Sequence, residues 1–329
     1  MIKTEKSTGF EPINKGYNSV FQKDKLSLGL VVPIERYSSS AVPKMQQHVE
    51  RVQLVETLGF SAVWLRDVPF NVDSFGDAGQ ILDPFVYLGL LAGQTEQIAL
   101  GVASVILPLR HPAHVAKAAA SADVLSGGRL ILGVASGDRP DEYPALNLPF
   151  DNRGQQFRES FDYIRQVSED RPEFSNSYGS LSRRMDLIPK PVSGTLPLLI
   201  TGGSQQDHDW IAQNGNGWML YPRSVSAQTQ LIRNWNSRVK TAGRTAQPVV
   251  QSLYIDLIED ADAAPQPIHL GFRSGIRHLL AHLKALEKAG MNHVALNLRF
   301  NQAKIESTLK ILADEILPHF NHQARSNRL

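Results

Sequence analysis

The stretch SADVLSGGRLILGVASGDRP, residues 121–140, carries two breaks on either side of one apolar run. An Ala- and Ser-rich segment stops at Ser126-Gly127-Gly128, the small-residue ending expected of a helix. LILGVAS (130–136) follows without polar alternation, as a strand buried on both faces should read. It breaks again at Ser136-Gly137-Asp138, where glycine lets a backbone turn sharply or lie close to a ligand. Helix end, strand and turn form one unit, and the rest of the chain can be asked whether it repeats.

It does. Apolar runs at 26–33, 61–67, 98–108, 130–136, 197–203, 217–222, 249–258 and 293–298 alternate with helical patterns at 45–59, 83–97, 111–128, 153–170, 204–215, 226–243, 274–290 and 303–320. In the first helix Val49, Val52 and Val55 recur at helical spacing and Gly59 marks the stop. Asp83 is placed to cap the second, with Pro84 in its first turn. Eight successive pairs predict an α/β chain folded as a (β/α)8 TIM barrel rather than an open doubly wound sheet. Residues 171–196, with several prolines and no place in the alternation, read as an insertion between strands 4 and 5. The expected division is an N-terminal arm over 1–25, a single barrel domain over 26–320 and a C-terminal tail over 321–329.

Composition narrows the function. The 329 residues hold 34 basic and 32 acidic side chains, a formal net charge of +2, and no basic stripe interleaved with aromatics, so no nucleic-acid partner is expected. There is no cysteine, which removes disulfides, thiolate metal sites and thiol nucleophiles. No apolar run reaches transmembrane length and the first residues lack a signal-peptide core. A cytoplasmic protein with no membrane association is the expectation. The ten histidines form no metal-binding spacing, and neither a Walker loop nor a G-x-G-x-x-G follows the first strand. No metal is expected.

In a barrel of this kind the C-terminal strand ends form the active face. Small residues at Ser136, Gly137 and Asp138 therefore stand at the mouth. Thr201-Gly202-Gly203-Ser204 ends the fifth strand, where backbone N–H groups either cradle a phosphate or make a plain tight turn. Arg66 and Asp67 end the second strand, as mouth residues or as a surface ion pair. Ser104 ends the third, followed by Arg110 and His111; His111 reads either as a helix cap or as a ligand contact. Tyr221 and Arg223 suit a flat anionic ligand or plain rim packing, and Arg273 and Ser274 precede the seventh helix. These residues reach a barrel with a phosphate site, without naming a reaction.

The block ALGVASVILPLRHPAHVAKAAASADVLSGGRLILGVASGD (99–138) resembles the central block of the bacterial luciferase-like flavin monooxygenases, with PLLITGGSQ (197–205) and LEKAGMNHVALNL (286–298) similar to later segments. LRDVPF and IHLGFRSG look like a subgroup of luciferase-type oxidoreductases. The resemblance implies a TIM barrel binding FMN, or in some relatives the deazaflavin F420. It puts the phosphate near Thr201, Gly202, Gly203 and Ser204, and the ring against Ser104, Ser136 and Val32, with Gly137, Asp138 and Tyr221 nearby. Asp67 stands where long-chain relatives carry a histidine, so Asp67 and His111 become the catalytic candidates. His114 falls where some relatives have a phosphate-contacting arginine. The implied activity is an FMN-dependent oxidoreductase, a monooxygenase using reduced flavin and O2 on a small organic substrate. The alternatives are F420-dependent hydride transfer and a non-catalytic flavin-binding barrel. NAD(P)H as electron source, a separate flavin reductase and a homodimer through helices 2 and 3 are also implied. Ala116, Ala118, Ala119 and Ala120 would allow close packing in that dimer.

Overall fold

The computed structural model describes residues 9–320. Eight parallel strands form the barrel: β1 (Ser27–Val31), β2 (Ala62–Leu65), β3 (Ala99–Ile106), β4 (Leu130–Ala135), β5 (Leu198–Thr201), β6 (Trp218–Leu220), β7 (Val249–Leu257) and β8 (His293–Asn297). Each pairs with its sequence neighbour, β8 pairs with β1, and the ring is closed. The expected eightfold alternation is the observed architecture. The helices around it include α2 (His48–Thr57), α3 (Pro84–Gln94), α4 (Pro112–Leu125), the single turn α5 (Glu142–Ala145), α6 (Arg153–Val167) and α7 (His208–Asn214). Asp83 caps α3 as expected, accepting from the N–H groups of Phe85 at 2.9 Å and Val86 at 3.2 Å. Among the described residues no helix is long and apolar enough to cross a membrane.

Continuous apolar strands make sense because each has two buried faces. Side chains alternate in direction along a strand. Leu28 and Leu30 of β1, or Leu130 and Leu132 of β4, point outward under the helices. Val31, Ala62, Trp64, Ala99, Ile131, Leu199, Met219, Val250 and Ala295 point inward and fill the lumen. The lumen has room for Trp64 because β3 presents Gly101 to it: a Cβ there would lie 2.3 Å from the Trp64 ring. Trp64 Nε1 donates to His293 Nε2 at 2.8 Å, so the other ring nitrogen carries the proton and donates to Ser27 Oγ at 2.7 Å. Burial lowers the His293 pKa to about 3 and keeps the ring neutral.

The described part of the N-terminal arm forms the floor of the barrel. Residues 15–20 form a short helix, α1 (Lys15–Val20), with Tyr17, Val20 and Phe21 buried in the lumen cluster. Asn14 fixes it, accepting from Tyr17 N–H at 2.9 Å and donating to Asp123 Oδ1 at 3.0 Å and Leu130 O at 2.8 Å. Gly16 lies so close to the start of β4 that a Cβ would sit 2.4 Å from Arg129 O. The sequence masked this role because one apolar face on a six-residue helix is too short to show a period. The remainder of the arm (1–8) and the expected tail (321–329) lie outside the described residues.

Residues 171–196 fall between α6 and β5 and carry a small hairpin, Phe174–Asn176 with Gly179–Leu181. A second hairpin, Gln266–Ile268 with Gly271–Ser274, was expected as a loop and turn; it extends β7 at its C-terminal half. Ser274 is therefore a strand residue, and Gly275 is the N-cap of the following helix. Arg273 pairs with Asp256 at 3.3 Å and does not line the mouth.

Because Phe21 closes the lumen from below, Phe21→Ala should destabilise the protein by about 3 kcal/mol in denaturant unfolding. A change below about 0.5 kcal/mol, the level of an exposed side chain, would mean that the arm does not plug the barrel.

Candidate active site

The lumen that is filled below opens above into a cavity of about 780 Å³ at the C-terminal strand ends. That is ample for a cofactor-sized ligand. The residues expected at Ser104, Ser136, Gly137, Asp138, Thr201, Gly202, Gly203, Ser204 and Tyr221 all line it. Local backbone brings them there. The pairing of β3 with β4 shifts register between Val102 and Val105, and such a bulge re-aims the side chains it carries. Ser104 Oγ is thereby hydrogen-bonded to Thr201 Oγ1 across the mouth. Gly137 has φ +77°, and a Cβ there would meet Ile106 at 2.8 Å.

The β5 end is a concave turn. Gly202, Ser204 and Gln205 have φ of +55°, +44° and +58°. Gly202 N–H is spent on Met219 O at 2.9 Å, but those of Gly203, Ser204 and Gln205 donate to no protein acceptor among the described residues. Successive free N–H groups in such a turn make an anion-binding nest. The helix does not add to it as expected. α7 begins only at His208, and Asp207 caps it, accepting from Trp210 N–H at 2.7 Å.

Several candidates are placed elsewhere. Val32 points outward into the core; Val31, one residue earlier, lines the cavity, since a shift of one along a strand exchanges its faces. His111 is outside the cavity: its Nδ1 accepts from Ala113 N–H at 3.2 Å as the N-cap of α4, and its ring packs edge-on against Tyr163 and Tyr178. His114 and Arg223 are exposed and also lie off the cavity. Ala116, Ala119 and Ala120 are buried on this chain's own barrel, and Ala118 is half-buried, so they do not offer a dimer face. The exposed apolar residues there are Val86 and Leu90 of α3 and Val124 and Leu125 of α4.

Asp67 does line the cavity, yet its carboxylate is fully engaged. Arg110 donates to both oxygens, at 3.0 and 2.8 Å, and Ile106 N–H donates at 3.2 Å. Asp67 and Asp83 together raise the Arg110 pKa against the lowering effect of its burial.

Sequence reading missed four groups. Asp77 sits in the loop after β2 and gathers donors from across the mouth: Arg66 at 2.7 Å, Arg299 at 2.9 Å, Gly79 N–H at 2.9 Å and Tyr37 OH at 3.1 Å. The buried Gln251 side chain has an amide nitrogen without a partner. Arg139 and Glu142 form a loose buried pair 3.9 Å apart, each with one polar atom lacking a hydrogen bond, and both line the cavity. Burial, with repulsion from Asp67 and Asp138, pushes the Glu142 carboxyl up to about 7 against the pull of Arg139. The only sequence signal for this pair is its i, i+3 spacing just after the β4 turn.

A carboxyl whose pKa is higher in the folded than in the unfolded state binds its proton more tightly when folded. Its stabilising effect is complete below the unfolded value and is lost as pH rises to about 7. Stability of the wild type should therefore fall between pH 4.5 and 7 relative to Glu142→Gln, by ~3 kcal/mol over that range. Parallel stability–pH curves for the two proteins would contradict the raised value.

The model of the luciferase-like monooxygenase family matches residues 26–293. An uncharacterized protein of Mycobacterium tuberculosis is 30% identical over 182 residues, 54% of this chain and 64% of that relative, so the chain spans less than two thirds of its length. The oxygenase component of a flavin-dependent trigonelline monooxygenase from Acinetobacter baylyi is 24% identical over 248 residues, 73% of this chain and 67% of the relative. Among solved structures, monooxygenase RslO1 from Streptomyces bottropensis shares the fold, with a TM-score of 0.74 over 89% of this chain and 99% of that one at 17% identity. A closed barrel with its cavity at the C-terminal strand ends, and a family match over most of the sequence, agree: the chain belongs to the luciferase-like monooxygenase family.

Proposed function

We propose that this protein is an FMN-dependent monooxygenase acting on a small organic substrate. The observation that carries the reading is the nest of free N–H groups at Gly203, Ser204 and Gln205, opening onto a cavity large enough for a flavin. These groups would hold the phosphate, and the donor set fits a doubly charged oxyanion without needing a lysine. Ser104, Ser136, Gly137, Asp138, Thr201 and Tyr221, with Val31 in place of Val32, would line the ring. Reduced FMN, when bound, supplies two electrons for activating O2, one oxygen atom passing to the substrate and the other leaving as water.

The chain's own residues bind, orient and exclude water. Asp67 acts through Arg110 and Ile106 N–H, fixing the β2 and β3 ends around the cavity, and is a positioning residue rather than a proton carrier. Glu142, with one unbonded oxygen in the cavity wall, is a group able to take or give a proton there near neutral pH. Electrons come from NAD(P)H through a separate flavin reductase, a reading supported by the relative named as an oxygenase component.

FMN titration, followed by quenching of flavin fluorescence with F420 run in parallel, tests the assignment. A Cβ at Gly203 meets nothing nearer than Gln206 O at 3.8 Å, so Gly203→Val should fold normally and weaken FMN binding at least tenfold. Saturable F420 binding with no FMN binding would move the reading to hydride transfer. Binding of neither would remove it.

We also propose a homodimer through α3 and α4, with Val86, Leu90 and Leu125 in the contact; these residues are 74%, 44% and 66% exposed in the single chain. Light scattering should give a dimer for the wild type and a monomer for Val86→Asp combined with Leu90→Asp. A monomeric wild type at micromolar concentration would rule this out.

A further inference from the structure

The cavity wall is not electrically even. Asp138 and the Arg139–Glu142 pair after β4 leave no excess of cation, and the Asp67 charge is cancelled by Arg110. Next to them, in contact through Arg139 and Asp77 O at 3.2 Å, two guanidinium groups converge on one carboxylate oxygen: Arg66 at 2.7 Å and Arg299 at 2.9 Å from Asp77 Oδ2. One acid cannot balance two cations. The tyrosines on the same acid, Tyr37 and Tyr254, are neutral, their hydroxyl pKa values raised by burial. One positive charge is left over in a half-buried wall, where solvent neutralises it poorly.

The donors are also unfinished. Nε and Nη2 of Arg66 donate to nothing among the described residues, whereas Arg299 donates through Nη2 to Gly76 O at 2.7 Å and Ser40 O at 3.1 Å and keeps one buried Nε without a partner. Beside them lies a cluster of flat rings on the cavity wall. Tyr254 and Phe300 have centroids 5.3 Å apart, and His269 is 5.6 Å from Tyr254 and 6.4 Å from Phe300. The Arg299 guanidinium stands 5.3 Å from the Phe300 ring centre. Surplus cation, the free N–H groups of Arg66 and aromatic faces together complement a ring bearing a carboxylate.

We propose that this quadrant binds the substrate, and that the substrate is a small aromatic or heteroaromatic carboxylic acid, its carboxylate on Arg66 and Arg299 and its ring among Tyr254, His269 and Phe300. The assignment rests on the flavin reading for calling this ligand the substrate. The binding itself needs no flavin and lies away from the β5 nest.

Calorimetric titration of the full chain with benzoate and with benzamide, its neutral counterpart, tests this with and without FMN. Benzoate should bind saturably and at least tenfold more tightly than benzamide. Arg66→Gln should abolish that preference, leaving benzamide and FMN affinity as they were, and Arg66→Lys should recover part of it. Phe300→Ala should weaken both ring ligands together, an independent check should Arg66→Gln fail to fold. Equal binding of the two ligands, no saturable benzoate binding at millimolar concentration, or an Arg66→Gln change that weakens FMN instead of benzoate would each overturn the proposal. Benzoate binding in a protein that takes no flavin would keep the anion site and remove only the monooxygenase reading.

Discussion

The barrel must be solid at one end and hollow at the other, and its other features follow from how that is managed. Inward side chains from eight strands meet at the axis, and their sizes set the level at which packing stops. Below, Trp64 crosses the lumen over Gly101, and its indole N–H is anchored on a neutral His293. Above, the inward positions are Ser104, Ser136, Thr201 and the small residues beside them, too slight to fill the same width. The cavity is what remains when large inward residues give way to small ones along the same strands.

Charge is handled by the same economy of position. Two acids at the mouth, Asp67 and Asp77, are tied to particular neighbours, and the ties join different strand ends. Asp67 links β2 to β3 through Arg110 and Ile106, while Asp77 links the loop after β2 to Tyr37, Tyr254 and Arg299. Glu142 differs from them, paired loosely and holding its proton near neutrality. A site built this way keeps those two charges fixed and leaves Glu142 free to change state.

Much of this was legible in the sequence, and the limits are physical. Alternation of apolar runs with helical patterns reports burial on both faces, which is the barrel, and the small residues at 136–138 and 201–204 report the open end. Parity is harder to read. A continuous apolar strand does not say which of two neighbours points inward, so Val32 stood where Val31 belongs. Residue type and position along the chain single out His111 and Asp67, but what decides their roles is the partner each meets, Ala113 N–H or Arg110, and the Asp67 partner lies 43 residues along the chain. Asp77 and Glu142 sit in segments with no periodic signal, Gln251 interrupts the apolar run of β7, and only the closed fold shows what they face.

The floor formed by α1 sets the limits of the physical unit apart from the limits of resemblance. Similarity to the family begins at residue 26, one residue before β1. Tyr17, Val20 and Phe21 lie before that point and are as deeply buried as the strands above them. A boundary drawn where relatives start to align would cut through a packed interior and leave the indole of Trp64 next to solvent. The segment before residue 26 thus closes the part of the molecule that can least tolerate water, and the unit that folds is longer than the stretch the family model matches.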